Sequence, residues 1–94
     1  MKLQLKFFLP MLSEAVGSDE VELDFEGRTV RDLLAELARR HGRKAADAIY
    51  DKAGELDREV QVLVNQKSWV TRENVDAALA DGDHVTIMVL MAGG

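Results

Sequence analysis

The chain has no cysteine among its 94 residues. That excludes a disulfide scaffold, a thiolate metal site, an iron–sulfur cluster and a cysteine nucleophile. Proline is nearly absent too, with Pro10 the only one. No run approaches the ~20 apolar residues that cross a bilayer. The opening Met1-Lys2-Leu3-Gln4-Leu5-Lys6 alternates, so no signal peptide is expected. Positive charge is the minority sign, 12 Lys and Arg against 17 Asp and Glu, for a net charge of -5. A general nucleic-acid binder needs a basic surface to neutralise phosphates, so direct nucleic-acid binding is not expected. The expectation is a cytoplasmic protein with no membrane partner and no bound metal.

What is present is an ordinary globular balance, 47% apolar and 31% charged, in a length that fits one domain with one core. Leu3, Leu5, Phe7 and Leu9 alternate with Lys2, Gln4, Lys6 and Phe8. A period of two predicts a strand over 2–9, and Pro10 ends it because proline cannot donate to a ladder. Residues 11–19 read as a connection. Val21, Leu23 and Phe25 predict a second, antiparallel strand. Thr29 then stands at an N-cap position, with Asp32 three residues on as in a capping box. Val30, Leu33, Leu34, Leu37 and Ala38 follow helical spacing. Arg39, Arg40 and His41 suit the last turn, and Gly42 suits the position just past the end. A weaker helix is predicted over 45–50, a strand over 59–65, a turn at Asn65-Gln66-Lys67, a short edge strand at 68–70 and a helical turn over 74–80. Asp81-Gly82-Asp83 turns the chain into a last strand from His84. With the first and last strands parallel at the sheet centre, this order predicts an α+β domain over 1–94. Its architecture is the β-grasp (ubiquitin-like) one, a mixed sheet packed on one main helix.

Beyond the last strand stands Met91-Ala92-Gly93-Gly94. The segment carries no branched side chain, and two glycines permit close backbone approach. It reads as a flexible tail, 91–94, that carries a terminal carboxylate into a narrow site on a partner.

At this point the chain resembles the MoaD/ThiS family of ubiquitin-like sulfur carrier proteins, over essentially its full length. The resemblance rests on Thr29-Val30-Arg31-Asp32-Leu33-Leu34, on Val62-Leu63-Val64-Asn65, on Leu79-Ala80-Asp81-Gly82-Asp83-His84-Val85 and on Met91-Ala92-Gly93-Gly94. It implies a carrier or substrate protein that is not itself an enzyme, with service in a synthase complex possible for its class. A ubiquitin-activating-type adenylating enzyme would use ATP on the Gly94 carboxylate, Ala92 and Gly93 would thread its site, and sulfur transfer would give a thiocarboxylate. No cofactor would be bound. A downstream enzyme such as a molybdopterin synthase large subunit would consume the sulfur. Small subunits of that synthase often carry two prolines before the tail, where this chain has Val89 and Leu90, and Gln66 stands where the family often has Gly. Molybdopterin synthesis leads, with thiamine, tRNA thiolation, cysteine synthesis and ubiquitin-like protein modification as alternatives.

Other polar residues read as structural. His41 suits a helix end, His84 falls on the outer sheet face, Glu20, Glu22 and Asp24 form a solvated strand face, and Asp81 and Asp83 flank a turn without the remaining ligands of a calcium loop. The outer face is different. It collects Phe8, Leu63, Met88 and Leu90 among Lys6, Gln61 and Thr86, a partner-binding surface. Trp69 is left undecided between covering a core edge and anchoring a partner.

Overall fold

The computed structural model describes residues 1–89. β1 (Lys2–Phe8) follows its alternation without a break: Leu3, Leu5 and Phe7 are buried, and Lys2, Gln4, Lys6 and Phe8 are exposed. Pro10 ends the strand by starting a helix. α1 (Pro10–Val16) has proline in its first turn, where a missing N–H costs nothing, and closes on Gly17 at φ 90°. The connection expected over 11–19 is therefore in part a helix. It was hidden because a seven-residue helix shows little periodicity, here one fully buried side chain, Leu12.

β2 (Glu20–Asp24) runs antiparallel to β1, with Leu3 opposite Leu23. α2 (Val30–Ile49) opens on the expected capping box. The Asp32 amide donates to Thr29 Oγ1 at 3.2 Å, and the Asp32 carboxylate accepts from the Thr29 amide at 3.1 Å and the Arg28 amide at 2.9 Å. Those bonds, led by the one from Arg28, hold the Asp32 carboxyl below its usual pKa. Gly42 leaves the helical angles at φ 78°, so α2 is two helical stretches that meet at a sharp break, the end expected at Gly42 and the second helix expected beyond it.

β3 (Val60–Val64) and β4 (Ser68–Val70) form a hairpin. Its turn is Asn65-Gln66, with φ of 54° and 60°, closed by the Lys67 amide on the Val64 carbonyl at 3.1 Å. The pairing of Val64 with Ser68 leaves three residues, 65–67, in the loop, and the two positive φ values are the left-handed backbone that lets so short a loop reverse the chain. β5 (His84–Val89) enters between β1 and β3, parallel to the first and antiparallel to the second. The sheet order is β2-β1-β5-β3-β4. One face meets the helices in a single core that joins Leu3, Leu5, Phe7, Val62 and Ile87 to Leu33, Leu34 and Leu37. The fold is the β-grasp, with a second, short helix beside the main one.

The helical turn expected over 74–80 is absent. The segment is a run of turns that caps α2 from outside. The Val75 and Ala77 carbonyls accept the Arg31 and Val30 amides at 2.8 and 3.0 Å, so backbone acceptors a helix would use internally instead satisfy the open N–H groups of another helix. Asn74 does not cap a helix either; its side chain accepts the Thr71 amide at 2.8 Å and donates to the Trp69 carbonyl at 3.2 Å.

Gly27 carries a steric demand. A Cβ built there would meet the Phe25 ring at 2.3 Å and the Asp32 Cβ at 2.6 Å. Phe25 is buried and Asp32 holds the capping box, so neither gives way freely. Gly27→Ala is expected to lower stability by about 1–3 kcal/mol in denaturant unfolding, as overpacking does; an unchanged midpoint would contradict the close approach.

On the solvent side of α2, Glu36 accepts two hydrogen bonds from Arg39, at 2.9 and 2.7 Å, and one from Arg40. The Arg39 bonds first, then Arg40, bring the Glu36 pKa from 4.5 to about 2. A lowered folded pKa means that this stabilisation is in place above about pH 4.5 and is lost as the pH falls toward 2. Glu36→Gln is expected to flatten the acid limb of the stability profile in that window. An identical acid limb in melts from pH 5 to 2 would count against the triad.

Candidate functional site

The sheet face turned away from the helices is the candidate site. The register assembles it in rows. Lys6 lies opposite Thr86, Thr86 opposite Leu63, and Leu63 opposite Trp69; in the next row Phe8 lies opposite Met88 and Met88 opposite Gln61. Every strand of this face alternates with the core face, so the residues that bury Phe7, Ile87 and Val62 inward push Phe8, Met88 and Leu63 outward.

The expected partner-binding residues thus come together as far as the described residues extend. Phe8 is 54% exposed, and Leu63 and Met88 are half-buried among their neighbours. Lys6 Nζ lies 5.0 Å from the centre of the Phe8 ring, a cation–π contact on the surface. Leu90, Ala92, Gly93 and Gly94 lie outside the described residues. Thr86, expected in solvent, is only 5% exposed. It sits mid-sheet between two strands, with the longer side chains of Lys6 and Leu63 as its cross-strand neighbours, a place where a short side chain is readily shielded.

Trp69 is the residue sequence reasoning left undecided. It is 52% exposed and shares the outer face through its pairing with Leu63. Counting outward from the expected turn Asn65-Gln66-Lys67 pairs Val64 with Ser68 and Leu63 with Trp69, and that is the signal that places Trp69 on this face.

The far margin of the face is acidic. Glu20, Glu22 and Asp24 all stand exposed on β2. Lys2 approaches Glu22 at 3.6 Å and Lys6 approaches Glu20 at 3.9 Å. A 2.7 Å hydrogen bond from Gln4, followed by the Lys2 charge, holds the Glu22 carboxyl below its usual pKa. At the start of β5 a polar clamp fixes the entry to the central strand. Asn65 accepts the His84 amide at 2.8 Å and donates to Asp83 at 2.9 Å, Asp83 accepts the Ala80 amide at 2.8 Å, and Asp81 accepts the Lys2 amide at 2.6 Å. Asp81 and Asp83 therefore serve the turn, as expected. His84 is exposed on the outer face and His41 is half-buried on α2. Among the described residues no group of His, Asp and Glu could hold a metal ion, and no helix is long and apolar enough to cross a membrane.

The face sets four large apolar side chains, Phe8, Leu63, Trp69 and Met88, beside a charged margin on β1 and β2. It offers a surface to bind with, and no nucleophile paired with a base to react with.

Comparison with known proteins agrees in fold and extent. A Haloferax volcanii protein, small archaeal modifier protein 3, is 34% identical over 96 aligned residues and is matched across 100% of both chains. An Archaeoglobus fulgidus protein provisionally named as a sulfur carrier protein is 30% identical over 83 residues, 88% of this chain and 93% of that one. The solved structure of a Pyrococcus furiosus protein, provisionally named molybdopterin converting factor subunit 1, superposes with a TM-score of 0.72 at 30% identity, over 97% of this chain and 99% of that one. The model of the ThiS family matches residues 8–94, and with it the chain belongs to the ThiS family, a family of sulfur carriers and ubiquitin-like modifiers.

Proposed function

We propose that the protein carries sulfur on the carboxylate of Gly94, as a substrate of partner enzymes and not as a catalyst. The observation that carries this reading is the outer sheet face, an exposed apolar surface at the end of the sheet from which β5 leads toward the Gly-Gly segment. A carboxylate resists nucleophiles because it is charged and its oxygen leaves badly. An adenylating enzyme overcomes this by letting the carboxylate oxygen attack the α-phosphorus of ATP, with pyrophosphate leaving. A hydrosulfide-level sulfur donor then attacks the acyl carbon, AMP leaves, and the product is a thiocarboxylate. Five extended residues beyond Val89 span up to about 16 Å at ~3.3 Å each, enough to reach a buried site while the sheet face docks outside it. Positioning by the partner supplies the rate. This chain binds no cofactor in the cycle, and ATP belongs to the partner.

The relative named as a sulfur carrier supports the carrier role, and the solved structure named as one subunit of a molybdopterin converting factor makes a molybdopterin synthase large subunit the first acceptor to try. A second reading, attachment of Gly94 to lysines of other proteins, is favoured by the full-length match to a modifier protein. The test is intact-protein mass spectrometry after incubation with the adenylating enzyme of the same genome, ATP and sulfide. Exchange of one oxygen for sulfur at the terminus is expected. Lysine adducts without that exchange would favour the second reading, and no modification of either kind would overturn both.

The face is open to a direct test. Leu63→Asp is expected to weaken association with the adenylating enzyme at least tenfold, since a charge would be desolvated at the contact. The melting temperature should fall by only a few degrees, because Leu63 is half-buried on the outer face and not in the core, and circular dichroism checks that the variant is folded. Unchanged affinity in calorimetry for Leu63→Asp and Met88→Asp would rule this face out.

A further inference from the structure

We propose that Trp69 anchors a second half of the docking face, and that the acidic strand β2 on the opposite margin sets its register. The occupant is the adenylating enzyme, so the inference rests on the carrier reading. Trp69 stands three strands away from Phe8 across the sheet, roughly 14 Å at ~4.8 Å per strand. It belongs to the row that ends in Lys6 and Glu20, not to the Phe8 and Met88 row nearer the end of β5. A half-exposed indole, across the ladder from Leu63, presents a broad apolar plate with one N–H at its rim, the kind of group that dominates binding energy when it enters a pocket. Its backbone is held ready: β4 pairs with β3 on one side, and the Asn74 side chain donates to the Trp69 carbonyl. Trp69 therefore offers a preset contact that costs little ordering on binding.

Charge selects the occupant. Glu20, Glu22 and Asp24 outnumber Lys2 and Lys6 along the β2 margin, and both lysines reach their carboxylates only through long, exposed pairs. An enzyme that holds ATP and releases pyrophosphate must concentrate cations around its site. A surface of that kind complements the β2 margin, while an apolar pocket with a hydrogen-bond acceptor complements Trp69. The two contacts, about 19 Å apart across four strand spacings, set the orientation of the sheet face on the enzyme.

The test uses the full chain with the adenylating enzyme of the same genome, followed by ATP–pyrophosphate exchange. Trp69→Ala is expected to raise the KM for the carrier at least tenfold with kcat within about twofold, because a docking residue away from the reacting atoms contributes to binding. Trp69→Phe should recover part of the loss. The carrier grown with 5-fluorotryptophan should show its single fluorine resonance shift on titration with the enzyme. Glu20→Lys/Glu22→Lys should raise KM at low salt and flatten the dependence of KM on salt. An unchanged KM for Trp69→Ala with normal exchange by the wild type overturns the inference and leaves the carrier reading standing, whereas absence of exchange with wild type overturns both. A salt dependence unaltered by the double charge reversal overturns the role of β2.

Discussion

Deleting Gly94 is expected to abolish thiolation outright. The reacting atom under the proposed carrier role is one carboxyl carbon, and removing one residue moves it ~3.3 Å from the groups that must meet it. Misplacement of reacting atoms by as little as about 1 Å already costs on the order of a hundredfold. Gly93→Val should fail by a different route, since a branched side chain beside the reacting residue would block a channel shaped for backbone alone. Both variants keep residues 1–89 unchanged, so they should melt like the wild type and still bind the adenylating enzyme. Mass spectrometry then separates binding from chemistry: docking retained, sulfur absent. Thiolation of the truncated chain at the wild-type rate would show that Gly94 is not the reacting residue.

Leu37→Ala, or Leu34→Ala, is expected to cost about 2–5 kcal/mol. Both side chains are buried in the core where α2 meets the sheet. The loss has two parts, the transfer energy of the deleted carbons and the cavity left when a helix pinned by its capping box and by the 74–80 segment cannot settle into the gap. For a small domain whose whole stability is typically ~5–15 kcal/mol, that is a large share. Denaturant unfolding measures it, and losses below about 1 kcal/mol at both sites would contradict the packing.

Most of the fold was legible where a period and its punctuation agreed. β1 showed strict alternation, and α2 had its cap at Thr29, its stripe from Val30 to Leu37 and its break at Gly42. Elements that depend on distant partners were not. α1 hides because its burial rests on one leucine, although Pro10 at one end and Gly17 at the other bracket it. The 74–80 segment looked helical from Asn74 and its alanines, but its carbonyls are committed to α2, a tertiary bond that no local pattern records. At the candidate site, alternation alone placed Phe8, Leu63 and Met88 on one face. Trp69 required the hairpin register, and the burial of Thr86 required knowing that β5 lies between two strands.

The central position of β5 also governs when the molecule becomes usable. Within the described residues the strand follows all the others in the chain, yet its neighbours on either side are β1 and the hairpin strand β3. Until residues 84–89 emerge, β1 and β3 have no common partner and the nascent sheet exists as two open-edged halves. Such long-range closure is slow compared with helix formation. The chain beyond Val89 follows only after that closing strand has been synthesised. A chain cut short before β5 lacks the middle of the sheet, with Thr86 and Met88 of the outer face, so the Phe8 and Trp69 sides of that face are left unjoined. Under the proposed carrier role, an adenylating enzyme would meet a complete surface only on molecules whose centre has already closed.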